Sequence, residues 1–198
     1  MDSRIVFFED IKPENTDVTF RLVRERAGVL GIKKLVLASA TGVTARKAMD
    51  FFKDKGVKLI VVPHQLDFQK KAELFPLELV KTLRESGHDV LFGSAFLSTD
   101  KLSGSDIPGI MANLLSRFCQ GVKVCFEIVF MVTDAGLVAG GEKVIAIAGS
   151  GQGLDTALVM QAGSPQRIGQ LRVNDIICQP LSPLSLGVLK DKLAQEMV

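Results

Sequence analysis

Small hydroxyl side chains gather at the end of an apolar run in the stretch LVLASATGVTA, which begins at residue 35. Ser39, Thr41 and Thr44 lie there together with Ala40 and Gly42. A helical pattern follows at once, so backbone N–H groups of this loop face outward with the positive end of the helix dipole behind them. Such a loop suits a phosphate or another anion, and the hydroxyls add donors. An ordinary helix cap is the alternative, because Ser and Thr are common caps.

Glycines recur in a second loop, GSGQGLDT, at residues 149–156. The G-x-G-x-G pattern is similar to a dinucleotide fingerprint, but that fingerprint needs a following helix, and a β-like alternation follows here. A glycine-rich turn still offers N–H groups to a ligand, or lets a flat ring lie against the backbone. A hairpin-like turn without a ligand explains the composition equally well. The candidate binding residues of this loop are Gly149, Ser150, Gly151, Gly153, Asp155 and Thr156.

Two longer side chains are candidates for the same site. His64 ends an apolar run and titrates near neutrality, so it is a candidate acid or base, with a structural role as the alternative. Lys123 belongs to a polar line on an otherwise apolar helix, with Gln120, Glu127 and Asp134. Lys123 and Glu127 either pair on a solvated face or, if that face lines a crevice, Lys123 supplies charge that the first loop lacks.

Short apolar runs alternate with amphipathic stretches along the chain, which is typical of an α/β fold. Strands are predicted in the stretches RIVFFE, KKLVLAS, KLIVVPHQ, DVLFGSA, EKVIAIAGSG and DTALVMQA. Helices are predicted in DVTFRLVRERAGVLG, TARKAMDFFKDKG, LFPLELVKTLRESG, IMANLLSRF and residues 122–135. DTALVMQA is expected to return antiparallel beside its predecessor, because the connection is short. The tail from residue 171 is predicted to be a link followed by an amphipathic helix.

Both candidate loops follow predicted strands. Ligands of open α/β sheets bind outside the carboxyl ends of strands, where the strand order reverses. If KKLVLAS and EKVIAIAG are neighbours in the sheet, the two loops line one crevice.

Composition favours a single globular domain over residues 1–198, with 47% hydrophobic and 23% charged residues. A net charge of +2 and the lack of a basic, aromatic-rich run argue against nucleic acid as a partner. The acidic N-terminus lacks signal-peptide features, and no segment suits a bilayer, so a cytoplasmic protein is expected. Cys119, Cys125 and Cys178 have no metal-ligand spacing, and Cys125 is expected to be a buried thiol. His88 is expected at the surface.

The order of strands and the stretches ASATGVTA, QGVKVCFEIVFMVTDAGLV and EKVIAIAGSGQGLDTALVMQA resemble the C-terminal α/β domain of pyruvate kinase. They resemble more closely a family of stand-alone prokaryotic proteins built from that domain. This resemblance implies a three-layer α/β/α fold with a five-stranded mixed sheet of order 3-2-1-4-5, whose last strand is antiparallel. An N-terminal strand–helix extension and a C-terminal helical tail would flank it.

The resemblance also implies a ligand. In the kinase the first loop holds a phosphate of a sugar bisphosphate, and Ser39, Thr41, Gly42 and Thr44 occupy the matching places. Val43 stands where that loop is often basic, and the second loop lacks the expected arginine, so a single phosphate fits better. Flavin mononucleotide is the ligand associated with the stand-alone relatives, with its phosphate on the first loop and its ring against the glycine-rich turn.

The leading hypothesis is therefore a protein that binds flavin mononucleotide and has no pyruvate kinase activity. A regulatory or assembly module for a phosphorylated metabolite is the alternative, and a small hydrolase that uses His64 is a third. No residue pattern identifies a reaction. Self-association is expected, because the related kinase domain takes part in subunit contacts.

Overall fold

The computed structural model describes residues 4–63, 75–94, 97 and 107–181. His64 and the predicted C-terminal helix lie outside these residues, so neither prediction is addressed by the structure. The described strands are β1 (Val6–Phe8), β2 (Lys34–Ala38), β3 (Lys58–Val62), β4 (Asp89–Val90), β5 (Lys143–Ala148), β6 (Thr156–Gln161) and β7 (Arg172–Pro180). The described α-helices are α1 (Asn15–Leu30), α2 (Val43–Phe52), α3 (Leu77–Glu85), α4 (Ile107–Leu115) and α5 (Gln120–Asp134).

These strands form one mixed sheet of order β1-β7-β6-β5-β2-β3-β4. Its β4-β3-β2-β5-β6 portion reproduces the predicted order 3-2-1-4-5. β6 runs antiparallel to β5, as the short connection predicts, whereas β2 is parallel to both β3 and β5. The carboxyl ends of β2 and β5 therefore lie side by side.

Alternate side chains of the central strands support two cores, one on each face of the sheet. On one face Leu35 and Leu37 of β2 pack into a cluster with residues of α1, α2 and α3. On the other face Val36 packs into a cluster with α5. The three-layer α/β/α arrangement is thus confirmed. Near-continuous apolar strands are what a sheet covered on both faces requires.

The sheet has seven described strands, two more than the five predicted. One of the two additional strands is β1, the predicted N-terminal strand, which pairs in parallel with β7. The other addition is β7 itself, where the sequence predicted an irregular link. Its first residues, Arg172 to Asn174, are exposed and polar in part, so the strand lacks the alternating pattern that would reveal it. Pairing with β6 decides its conformation instead.

Two boundaries also differ from the predictions. β4 comprises only Asp89–Val90, against the longer strand predicted in DVLFGSA. α2 ends at Phe52 and not at a glycine, with Gly56 in the turn that follows. α1 does end at a glycine, because Gly31 adopts a left-handed conformation with φ of 66°. No helix of the described ranges is both long and apolar enough to cross a lipid bilayer.

Candidate functional site

The two candidate loops leave the sheet from neighbouring parallel strands. Leu37 of β2 is paired with Ile147 of β5, and each loop begins within two residues of that pair. Ser39 extends the sheet by one further bond, donating its N–H to the carbonyl of Val62 at 3.1 Å. The prediction that the two loops meet at one edge of the sheet is therefore confirmed.

A cavity of about 760 Å³ lies where the loops meet. Of the predicted site residues, the structure brings together at its wall Ser39, Ala40, Thr41, Thr44, Lys123, Gly149, Gly151 and Gly153. Gly42, Ser150, Asp155 and Thr156 belong to the same loops but do not line the cavity. The wall also includes residues of α1, α2 and α5 that the sequence did not assign to the site.

Hydroxyls of the first loop are partly used within the loop. Thr44 donates its hydroxyl to Ser39 Oγ at 2.8 Å, and Ser39 Oγ also accepts the N–H of Ala45 at 3.2 Å. Ser39 is buried, whereas Ala40 and Thr41 are exposed. Ser39 and Thr44 thus shape the start of α2, and Thr41 offers its side chain to the cavity. All three residues line the cavity, and that their hydroxyls bind an anion stays a prediction.

Gly42 is the residue immediately before α2, with φ of 85°, as the sequence predicts for a glycine at this turn. A side chain there would also meet α3, because an added Cβ would lie 2.7 Å from Leu79 Cδ2. Its role is to let the loop turn tightly against α3. The amides of Val43 and Thr44 have no acceptor inside the helix and are donors at this end of the cavity. Those of Ala45 and Arg46 are already bonded, to Ser39 Oγ and to the Gly42 carbonyl.

Lys47 brings positive charge to the same end of the site. It lies on α2, is exposed, and lines the cavity together with Val43, four residues earlier. The i, i+4 spacing from the loop could have identified this lysine from the sequence. Lys47 thus places a positive charge on the cavity wall beside the uncharged Val43.

The second loop is closed by a buried carboxylate. Asp155 accepts the N–H of Ser150 at 3.0 Å and the hydroxyl of Thr156 at 2.7 Å, and Ser150 donates its hydroxyl to it at 3.2 Å. Burial raises the pKa of Asp155, against the lowering effect of these hydrogen bonds. The side chains of Asp155 and Thr156 are therefore engaged inside the turn, where they hold its shape.

Close backbone contacts explain two of the glycines in this loop. An added Cβ on Gly149 would collide with the carbonyl oxygen of Gly153. Gly153 has φ of 87°, and a Cβ there would lie 2.9 Å from Pro13 Cα. The turn is therefore folded back on itself and packed against the segment that precedes α1.

Residues of α1 hold this turn from outside and complete the cavity wall. Thr16 Oγ1 accepts the N–H of Leu154 at 3.0 Å, and Thr19 donates its hydroxyl to the Leu154 carbonyl at 3.2 Å. Both threonines are buried, and Pro13 and Thr16 line the cavity. Sequence reasoning missed them, since a contact across 138 positions leaves no local signal.

The polar line on α5 faces the cavity for most of its length. Gln120, Lys123 and Glu127 line the wall, whereas Asp134 is exposed and lies outside it. Lys123 Nζ lies 2.9 Å from Glu127 Oε1, and their side chains are only 12% and 7% exposed. The residues pair, as one alternative predicts, but on a face that lines the crevice and not on a solvated face. That Lys123 supplies charge to a ligand stays a prediction.

His88 and Cys125 do not line this cavity. His88, predicted at the surface, is half-buried and accepts the N–H of Leu59 at Nδ1, and burial lowers its pKa. Cys125 is buried as predicted, and burial raises its pKa well above the usual value. Within the part of the chain that the structure describes, no three His, Cys, Asp or Glu side chains come together to hold a metal ion.

No protein-family model matches the sequence. Solved structures similar to the chain include a pyruvate kinase from Cryptosporidium parvum, with 13% identity and a TM-score of 0.42 over 79% of this chain and 24% of that one. Another structure of a pyruvate kinase from that organism has 13% identity and a TM-score of 0.37, with 73% and 22% coverage. Its complex with ADP has 13% identity and a TM-score of 0.36, with 71% and 21% coverage.

The chain therefore spans less than a quarter of the length of those kinases.

Proposed function

We propose that this protein binds a singly phosphorylated ligand, flavin mononucleotide, in the cavity between the two loops. The observation that supports this most is that the start of α2, with Thr41 and Lys47, lines the same cavity as the glycines of the second loop. One end of the cavity thus offers charge and donors, and another offers bare backbone. A volume of about 760 Å³ lies within the usual range for small-molecule sites.

The phosphate is assigned to the first loop. Backbone N–H groups at the start of α2, the Thr41 hydroxyl and the Lys47 ammonium are all donors, and charge-assisted hydrogen bonds are the strong ones for a phosphate. Ser39 and Thr44 hold the loop in the shape that presents those amides.

The ring is assigned to the glycine-rich turn. Gly149, Gly151 and Gly153 line the cavity, and a backbone without side chains allows a flat ring to approach closely. Val124, Ile128 and Met131 of α5 line the cavity as well and provide apolar surface for a ring.

A comparison of flavin mononucleotide with riboflavin tests the proposal, because the two differ only in the phosphate. Binding is measured by quenching of flavin fluorescence, and the chain has no Trp or Tyr to interfere in the near ultraviolet. We expect flavin mononucleotide to bind at least about tenfold more tightly, given the strength of hydrogen bonds to charged groups. Thr41→Ala and Lys47→Met should each reduce that preference and leave riboflavin affinity unchanged.

Lys33→Met is the matched control, since Lys33 is also an exposed lysine but does not line the cavity. It should leave both affinities unchanged. Equal affinities for the two flavins in the wild type would remove the phosphate from the first loop. If neither flavin binds, the flavin proposal is wrong, and the regulatory alternative would be tested with other phosphorylated metabolites.

A further inference from the structure

We propose that the ion pair of Lys123 and Glu127 selects the part of the ligand that lies away from the phosphate. In this proposal the pair recognises a neutral edge that carries a hydrogen-bond acceptor beside a donor, and it disfavours a second anionic group. The inference rests on the proposed function, because it concerns the same cavity.

The position of the pair is unusual for an i, i+4 ion pair. Most such pairs lie on solvated helix faces, where they contribute little. Here both side chains line the cavity, and their exposed fractions are only 12% and 7%. A ligand that fills the cavity therefore meets these two side chains in a largely dehydrated wall.

The charges of the pair determine which ligand groups are accepted beside it. Lys123 Nζ and Glu127 Oε1 are 2.9 Å apart, so their opposite charges compensate each other at this part of the wall. A phosphate placed here would be attracted by Lys123 but repelled by Glu127, and that repulsion is strong where water is excluded. Lys47, on α2, is the other lysine among the described residues of the wall, and a single phosphate is assigned to it.

The hydrogen-bonding chemistry of the pair is equally selective. An ammonium only donates hydrogen bonds, and an ionised carboxylate only accepts them. Side by side, they match an edge on which a carbonyl oxygen lies next to an N–H, as in a cyclic imide. The pyrimidine ring of a flavin has such an edge, and the apolar side chains of Val124 and Ile128 on the same wall can cover its ring.

The test uses flavin mononucleotide and its N3-methyl derivative, in which the imide N–H is blocked. Dissociation constants are measured by fluorescence quenching for the wild type and for a Lys123→Met/Glu127→Leu double variant. The double variant should fold, because apolar replacement of a whole buried ion pair is commonly neutral or stabilising. We expect the wild type to lose about tenfold or more on methylation, and the double variant to bind the two flavins alike.

Arg26→Met/Asp175→Leu provides the matched control. This ion pair has a similar separation of 2.9 Å and similarly low exposure, 15% and 16%, but it does not line the cavity. The control variant should discriminate between the two flavins as the wild type does.

A second measurement tests the charge argument by competition of flavin binding with a hexose monophosphate and the corresponding bisphosphate. The wild type should bind the bisphosphate no more tightly than the monophosphate. Glu127→Gln, which removes the compensating negative charge from Lys123, should favour the bisphosphate.

The failure of this inference differs from the failure of the proposed function. If the wild type binds flavin mononucleotide and its N3-methyl derivative equally well, the proposal of flavin binding stands and the selective role of the pair is overturned. Discrimination that survives in the double variant, or a preference of the wild type for the bisphosphate, would also overturn it. If the wild type binds neither flavin, the proposed function fails, and the proposed role of the pair fails with it.

Discussion

The two loops around the cavity are built in different ways. In the loop at residues 39–44, the hydroxyls of Ser39 and Thr44 bond to each other and Ser39 also accepts the N–H of Ala45, while Thr41 is exposed and lines the cavity. In the loop at residues 149–156, polar side chains turn inward around the buried Asp155 carboxylate. Two threonines of α1 then hold that loop from outside.

This difference separates binding from stability. Removal of the exposed Thr41 hydroxyl in the first loop should alter a donor that a ligand meets, with little effect on folding. Changes in the second loop should alter folding first, because its side chains and glycines are occupied by the chain itself. The experiments below test that separation, beginning with the largest expected effect.

Gly149→Ala should destabilise the protein by about 3 kcal/mol, the upper part of the usual range for inserting a group where there is no space. An added Cβ would collide with the carbonyl oxygen of Gly153, which is backbone and cannot rotate away. The free energy of unfolding is measured by urea titration. Gly28→Ala is the control, since a Cβ there meets nothing within 4 Å and the residue lies inside α1. It should stabilise by about 0.5–1 kcal/mol. If Gly149→Ala unfolded at the same urea concentration as the wild type, the turn would not be tightly constrained at Gly149.

Thr16→Val should cost about 1–2 kcal/mol of unfolding free energy. The substitution nearly preserves shape but removes the oxygen that accepts the buried N–H of Leu154, and an unsatisfied buried donor has a cost of this size. Thr16→Ser retains that oxygen and should lie closer to the wild type. Equal stability of the valine and serine variants would mean that α1 does not hold the second loop through this bond.

Asp155 should make the free energy of unfolding depend on pH in the acidic range. Because burial raises its pKa, the folded chain keeps a proton at pH values where the unfolded chain has released it. The contribution of this carboxyl is therefore largest below its ordinary pKa of about 3.9 and is lost as the pH rises through the folded-state pKa. The wild type is compared with Asp155→Asn by urea titration at several acidic pH values. The stability difference, wild type minus variant, should fall as the pH rises across this window, and a rise would contradict the prediction.

Much of this fold was predictable because its signals are local. Apolar runs marked β2, β3, β5 and β6, and the short connection between the last two gave their antiparallel pairing. β7 was not predictable, because its exposed first half lacks alternation and its conformation depends on a partner strand.

In the site, too, features with a local sequence signal were predictable and features that depend on distant contacts were not. Each loop could be recognised from its own residues, and their meeting followed from a strand order that the resemblance to pyruvate kinase supplied. The inward direction of Asp155 and the support from Thr16 depend on packing between distant segments. No pattern within either loop reports such contacts.

The smallest stability effect is expected within the first loop, where two hydroxyls only two residues apart should behave differently. Ser39→Ala removes the oxygen that accepts the N–H of Ala45 and the hydroxyl of Thr44, so it should cost about 1 kcal/mol, as the loss of a helix cap does. Thr41→Ala should change the unfolding free energy by less than about 0.5 kcal/mol, because its side chain is exposed.

For ligand binding we expect the reverse order of effects. Thr41→Ala should reduce the preference for flavin mononucleotide over riboflavin, and Ser39→Ala should change it less, since only Thr41 is assigned to the phosphate. Thermal and urea unfolding give the first comparison, and fluorescence quenching gives the second. If Thr41→Ala proved as destabilising as Ser39→Ala, the Thr41 hydroxyl would be engaged within the loop, as the side chains of the second loop are. The donors to the phosphate from this loop would then be the backbone amides of α2 alone.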